Sequence, residues 1–147
     1  MRARLVGIAR HAEPRAPMES LSHAKISYAA GIEGDFRGRA ADRNVTTISF
    51  EDWEAACREL GRDLPWQTRR ANLLVQRLTD FKKVGTQLRV GSVLLEVAEE
   101  CQPCSVMDKQ SPGLRVALLP DWRGGVACRV LQDGEITVGD PIDVVDK

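Results

Sequence analysis

The residues best suited to chemistry are Cys101 and Cys104, set in Glu100-Cys101-Gln102-Pro103-Cys104. An ionised cysteine is a strong nucleophile, and a C-x-x-C spacing admits four readings. Structural zinc needs four ligands. The other cysteines, Cys57 and Cys128, sit in apolar patterns, and His11 and His23 are far away in sequence. A thioredoxin-like redox pair stands between a strand and a helix in a βαβ pattern, whereas here Ser105-Val106-Met107-Asp108 reads as the start of a loop. The third reading is a single working thiolate with the other cysteine incidental. The fourth is two small buried residues with no chemistry at all. Pro103 favours the third: a Gln-Pro-Cys-Ser segment just past a buried strand mounts the Cys104 thiol on a loop, where reactive groups tend to be carried. A neighbouring cation would raise its thiolate fraction. Arg37, Arg39, Arg43, Arg69, Arg70, Lys109 and Arg123 are the candidates.

A second constellation is Gly31-Ile32-Glu33-Gly34-Asp35-Phe36-Arg37-Gly38-Arg39. Its glycines let a backbone approach a ligand closely, and its arginines offer paired donors to phosphate. It lacks the P-loop spacing, so nucleotide triphosphate binding is a poor reading, and a glycine-rich turn with solvated charges is an equal alternative. Arg69-Arg70-Ala71-Asn72 places basic residues at the entry of a strand, either for a ligand or as an exposed edge device. His11 and His23 have no partner at metal or triad spacing and read as loop histidines.

The elements that must position these residues are mostly short strands. Leu5–Ala9, Lys25–Ala29, Val45–Ile48, Asn72–Leu78, Gln87–Val90, Val93–Val97, Val126–Leu131, Ile136–Val138 and Ile142–Val145 all read as β. Asp133-Gly134 between apolar runs predicts a hairpin. One helix is clear, over about 50–60: Ser49 caps it, Trp53, Ala56, Cys57 and Leu60 share a face, and Gly61 stops it. On that face Cys57 reads as a small hydrophobe. A second, short helix is expected over about 112–119, with Ser111 before it and Pro112 in its first turn. The fold class is mainly β, and glycine-punctuated short strands suggest a barrel, which leaves few edges unpaired.

Composition limits the function classes. The 147 residues fit a single domain over 1–147 and carry 21 basic and 21 acidic side chains, a formal charge of zero. That balance argues against general nucleic-acid binding. No apolar run is long enough for a membrane span or signal peptide, and four irregularly spaced cysteines do not make a secreted disulfide framework. A cytoplasmic location is the expectation.

The order of motifs resembles the MOSC domain, the C-terminal domain of eukaryotic molybdenum cofactor sulfurases and its stand-alone bacterial relatives. The resemblance rests on Gly31-Ile32-Glu33-Gly34-Asp35, Val45-Thr46-Thr47-Ile48-Ser49, Arg70-Ala71-Asn72-Leu73, Leu88-Arg89-Val90-Gly91, Gln102-Pro103-Cys104 and Gly134-Glu135-Ile136-Thr137-Val138-Gly139-Asp140-Pro141. It implies a β-barrel and a working cysteine at Cys104, which would carry sulfur as a persulfide or engage a molybdenum-pterin cofactor, with the thiol as a candidate molybdenum contact. Arg37, Arg39 and Arg70 would hold the anionic ligand, and Asn72 would orient a polar group at the barrel mouth. Related members work in molybdenum-dependent reduction of N-hydroxylated compounds, so a non-catalytic cofactor-binding module of such a reductase is the alternative. Partners would be a cysteine desulfurase or a molybdoenzyme. The chain is too short for a pyridoxal-phosphate domain. Many relatives carry a basic residue directly after the Gly-Asp pair, where this chain has Phe36 and then Arg37.

Overall fold

The structure is a computed structural model that describes residues 2–38 and 43–145. Among these residues eleven strands run in chain order: β1 Arg4–Arg10, β2 Glu19–Leu21, β3 His23–Ser27, β4 Gly31–Ile32, β5 Val45–Ser49, β6 Leu73–Gln76, β7 Gln87–Val90, β8 Val93–Glu100, β9 Val126–Gln132, β10 Gly134–Thr137 and β11 Ile142–Val145. Eight form one sheet in the order β11-β7-β8-β9-β5-β6-β1-β2, and β10-β3-β4 form a second. Among the described residues only β5 and β6 pair in parallel, joined across the intervening helix; the other pairs are antiparallel.

The large sheet is strongly curled. Ala3 and Leu5 exchange backbone hydrogen bonds with Gly139, Asp140 and Ile142, which brings the start of β11 against β1. The ladder stops there, so the sheet does not close and "barrel" is a loose description of it. Its inner face follows the period of two expected of half-buried strands: Val93, Leu95 and Val97 on β8 are fully buried while Leu94, Glu96 and Ala98 are only partly so. Leu5, Ile8, Leu73, Leu88 and Ile136 join them in one apolar core, each contributing about 1.5–3 kcal/mol by burial.

Helix α1, Phe50–Leu60, forms where expected. The Ser49 hydroxyl accepts from the Asp52 amide at 3.0 Å, and Gly61 ends the helix in the left-handed region. The Gly61 and Arg62 amides then reach back to the Arg58 and Cys57 carbonyls. Trp53 and Ala56 bury on a second core that backs the sheet with Ile48, Leu74, Leu114 and Leu118.

Three expectations need correcting. Ser105–Gln110 is a helix, α2, and not a loop; its neighbour α3 is Leu114–Ala117, inside the range expected for a short helix. Asp133-Gly134 does not make a β9–β10 hairpin, because β10 pairs with β3 and the dipeptide carries the chain from one sheet to the other. Arg69 is no edge device: it ends a short 3-10 turn, Trp66–Arg69, and is buried.

Candidate functional site

The chain leaves β8 at Glu100 and runs to the first turn of α2 through Cys101-Gln102-Pro103-Cys104. This connector has no turn in it. Cys101 and Pro103 are buried while Gln102 and Cys104 are exposed, the alternation of an extended segment. The two thiols therefore present to opposite sides, which removes the main geometric support for a redox pair; all four cysteines are free. Cys104 stands in extended conformation at the N-cap of α2, its carbonyl accepting from the Met107 amide at 3.0 Å, and its side chain caps nothing.

Arg69 holds this connector in place. Its guanidinium donates to the Cys101 carbonyl and the Gly124 carbonyl, both at 3.1 Å, and to the Cys101 sulfur at 3.1 Å; it also approaches the Met107 sulfur at 3.9 Å. Cys101 precedes Cys104 and Met107 follows it, so one buried side chain brackets the exposed thiol. Gly124 makes room: a Cβ there would lie 2.5 Å from the Cys101 carbonyl oxygen.

Arg70 follows Arg69 with a left-handed backbone (φ 64°), which turns consecutive arginines in different directions. Arg69 points inward. Arg70 lines a cavity of about 230 Å³ together with His11, Asp35, Phe36, Arg37, Arg43, Thr46 and Asn72. Of the expected ligand-holding residues, Arg37, Arg70 and Asn72 thus come together, and Arg39 lies outside the described residues. Arg37 is exposed and makes no hydrogen bond or ion pair among the described residues. Arg70 spends one N–H on the Ala16 carbonyl at 2.7 Å. Asn72 is buried and mainly structural in its contacts. Its Oδ1 accepts from the Thr46 amide and hydroxyl, and its Nδ2 donates to the Ala9 carbonyl, tying β5 and β1 across the start of β6.

The glycine-rich loop is anchored so that Phe36 and Arg37 reach this cavity. The His11 amide donates to Asp35 Oδ1 at 3.1 Å and the Phe36 amide to the His11 carbonyl at 2.7 Å. Gly31, at φ +62°, lies where a Cβ would fall 2.3 Å from the Asn44 carbonyl oxygen, so only glycine fits. His11, which reads as a loop residue in the sequence, is buried in the cavity wall. Its Nδ1–H donates to the Glu13 carbonyl at 2.8 Å, and the Phe36 ring lies 6.1 Å away, tilted. A lone histidine carries no spacing signal; only the fold brings it to Asp35.

Cys104 is not among the residues lining the cavity. The link between the two is Arg43, which lines the cavity, pairs with Glu99 at 2.8 Å and approaches the Cys101 sulfur at 3.7 Å. The cysteine touched by cations is thus Cys101, the one the sequence leaves incidental. Cys128, also buried, has no such contact: burial pushes its thiol from 9.0 up to about 12, partly offset by the Thr47 hydroxyl.

The family model described as MOSC domain matches residues 25–143. The chain belongs to the MOSC domain family. This is a molybdenum cofactor-related domain family. Among solved structures, the chain is similar to the YuaD protein from Bacillus subtilis, with a TM-score of 0.83 at 19% identity over 98% of this chain and 96% of that one. It is similar to YiiM from Escherichia coli (TM-score 0.74, 17% identity, 98% of this chain and 70% of that one). YiiM from Geobacillus stearothermophilus gives a TM-score of 0.71 at 22% identity, over 98% and 73%. At these identities the likeness concerns the fold alone. No curated protein matches the chain. No helix among the described residues is long and apolar enough to cross a membrane.

Proposed function

We propose that this MOSC protein carries sulfur as a persulfide on Cys104 and delivers it to an acceptor in the cytosol, with the neighbouring cavity holding an anionic group of the acceptor or of a molybdenum-pterin cofactor. The observation that carries this reading is an exposed Cys104 on a connector clamped by Arg69, whose other cysteine shares Arg43 with the cation-lined cavity. In the loading step the Cys104 thiolate attacks the outer sulfur of a desulfurase persulfide, and the desulfurase cysteine leaves as its thiolate. Delivery is the same exchange in the forward direction, to the acceptor.

The cavity suits an anion because three arginines face one carboxylate: Arg37 is unpaired among the described residues, Arg43 and Arg70 stand beside it, and Asp35 already accepts from the His11 amide. At about 230 Å³ it is smaller than the roughly 300–1,000 Å³ of sites that enclose a whole ligand. It fits the phosphate end of a molybdenum-pterin cofactor, with Arg37 and Arg70 as its donors, and Arg39 as a third ligand-holding candidate. Asn72 offers its remaining amide hydrogen to a polar group there. When bound, the cofactor would supply molybdenum redox chemistry, with Cys104 as a candidate metal contact.

The carrier reading is tested by incubating the protein with a cysteine desulfurase and cysteine, then mapping adducts by mass spectrometry. Cys104 gains about 32 Da, one sulfur atom; no adduct under conditions that load a known carrier protein rejects it. The unpaired Arg37 favours a second reading, a cofactor-binding module of a molybdenum-dependent reductase acting on N-hydroxylated compounds. Protein purified from a molybdenum-replete host would then retain the cofactor and take up no sulfur.

A further inference from the structure

Arg69 is 8% exposed and carries a permanent charge, yet no carboxylate pairs with it among the described residues. A buried cation without a counter-ion is costly. What it faces is sulfur, the Cys101 thiol at 3.1 Å. Arg43 places a second guanidinium on the same sulfur at 3.7 Å. Guanidinium groups can only donate, so the sulfur is the acceptor in both contacts. Two cationic donors converging on one cysteine sulfur is the setting in which cysteine works as a nucleophile.

Cys101 does not itself line the cavity beside it, and Arg43 is the side chain the two share. Cys101 is 8% exposed, and Arg43 links its sulfur to the cavity that also holds Arg37 and Arg70. The side chain of Arg43 is 49% exposed and its ion pair is with Glu99, itself 49% exposed. Such an exposed pair is weak, so Arg43 can swing toward the cavity with little loss. An anion drawn in by Arg37 and Arg70 would replace the Glu99 carboxylate as its partner.

From this geometry we infer that Cys101 is a second reactive thiol, and that it accepts sulfur from small anionic sulfane-sulfur donors of the thiosulfate class. The Cys101 thiolate, its proton given up to water, attacks the sulfane sulfur. A Cys101 S–S bond forms, the donor's S–S bond breaks, and sulfite leaves with the electron pair. No outside oxidant or reductant is consumed. Arg69 and Arg43 remain on the resulting persulfide anion. This rests on the carrier reading and deepens it by naming a donor class and a different entry point for sulfur, and it does not require Cys104 to react first.

The test is incubation of the full-length protein with thiosulfate, followed by site mapping and a sulfite assay. The expected result is about 32 Da on Cys101 with one sulfite released per adduct, retained in Cys104→Ser and lost in Cys101→Ala. Arg43→Gln, at a half-exposed position that the fold tolerates, slows loading about tenfold or more, the loss expected for one charge-assisted hydrogen bond. Thiosulfate sulfur found on Cys104 alone overturns the inference and leaves the carrier reading intact. Absence of thiosulfate loading in protein that a desulfurase does load on Cys104 has the same meaning. Loading by neither donor overturns both.

Discussion

Cys128 lies within β9 and Cys101 follows directly on the neighbouring strand β8; both are buried and both small, and their surroundings differ in one respect. Cys128 lies within β9 among apolar side chains, and burial pushes its thiol up to about 12. Cys101 lies just beyond the last β8–β9 pair, Glu100 with Val126, where the strand gives way to the connector, and two guanidiniums reach its sulfur. Burial makes a cysteine inert only when nothing charged shares it. The difference comes from where β8 ends: past Glu100 the chain no longer packs on the apolar face and can receive a side chain from the 3-10 turn before β6.

The largest effect expected from this contrast is on pH-dependent stability. The Cys128 thiol titrates near 9 in the unfolded chain and near 12 in the folded one, so between these values the unfolded state has lost a proton that the folded state still holds. Its contribution is fully present below pH 9 and falls as pH rises through that window, by up to about 4 kcal/mol. Denaturation curves from pH 8 to 12 should therefore fall more steeply for the natural protein than for Cys128→Ala. Equal slopes would mean that the Cys128 thiol reaches water in the folded state.

Next in size is Arg69→Met, which keeps the apolar stem and strands the Cys101 and Gly124 carbonyls. Each unsatisfied group costs about 1–3 kcal/mol and removal of the buried charge offsets part of that, so the denaturation midpoint should drop by the equivalent of about 2–4 kcal/mol. The same variant should slow persulfide formation on Cys104, because the clamp around its connector is gone. Arg69→Lys, which restores a charge but not the fork of donors, should recover only part of either loss.

Much of this was legible in the residues. Ser49 and Gly61 fixed the ends of α1, and Gln87–Val90 and Ile142–Val145 carried their strand character in runs rich in β-branched and aliphatic side chains. Arg37, Arg70 and Asn72 could be grouped from the order of their motifs alone, because that order is the MOSC family's. The roles of Arg69 and His11 could not. Arg69 differs from Arg70 only in the hand of the backbone that follows it, and His11 meets Asp35 across 24 residues of loop and strand. The hairpin expected at Asp133-Gly134 failed for a related reason: turn chemistry specifies a reversal but not which strand is waiting to pair.

The smallest expected effect falls on Arg43. Its pair with Glu99 is half exposed, so Arg43→Gln should shift stability by less than about 1 kcal/mol while altering sulfur entry. A change in stability as large as that of Arg69→Met would show that Arg43 is a structural clamp and not a movable one.

The most direct measurement is a map of sulfane sulfur across all four cysteines after loading with a cysteine desulfurase. Sulfur on Cys104, with none on Cys57 or Cys128 and none anywhere in a Cys104→Ser chain loaded by the same desulfurase, is the predicted result. Sulfur appearing on Cys128, or on no cysteine while a known carrier loads fully, would contradict a working thiolate at Cys104.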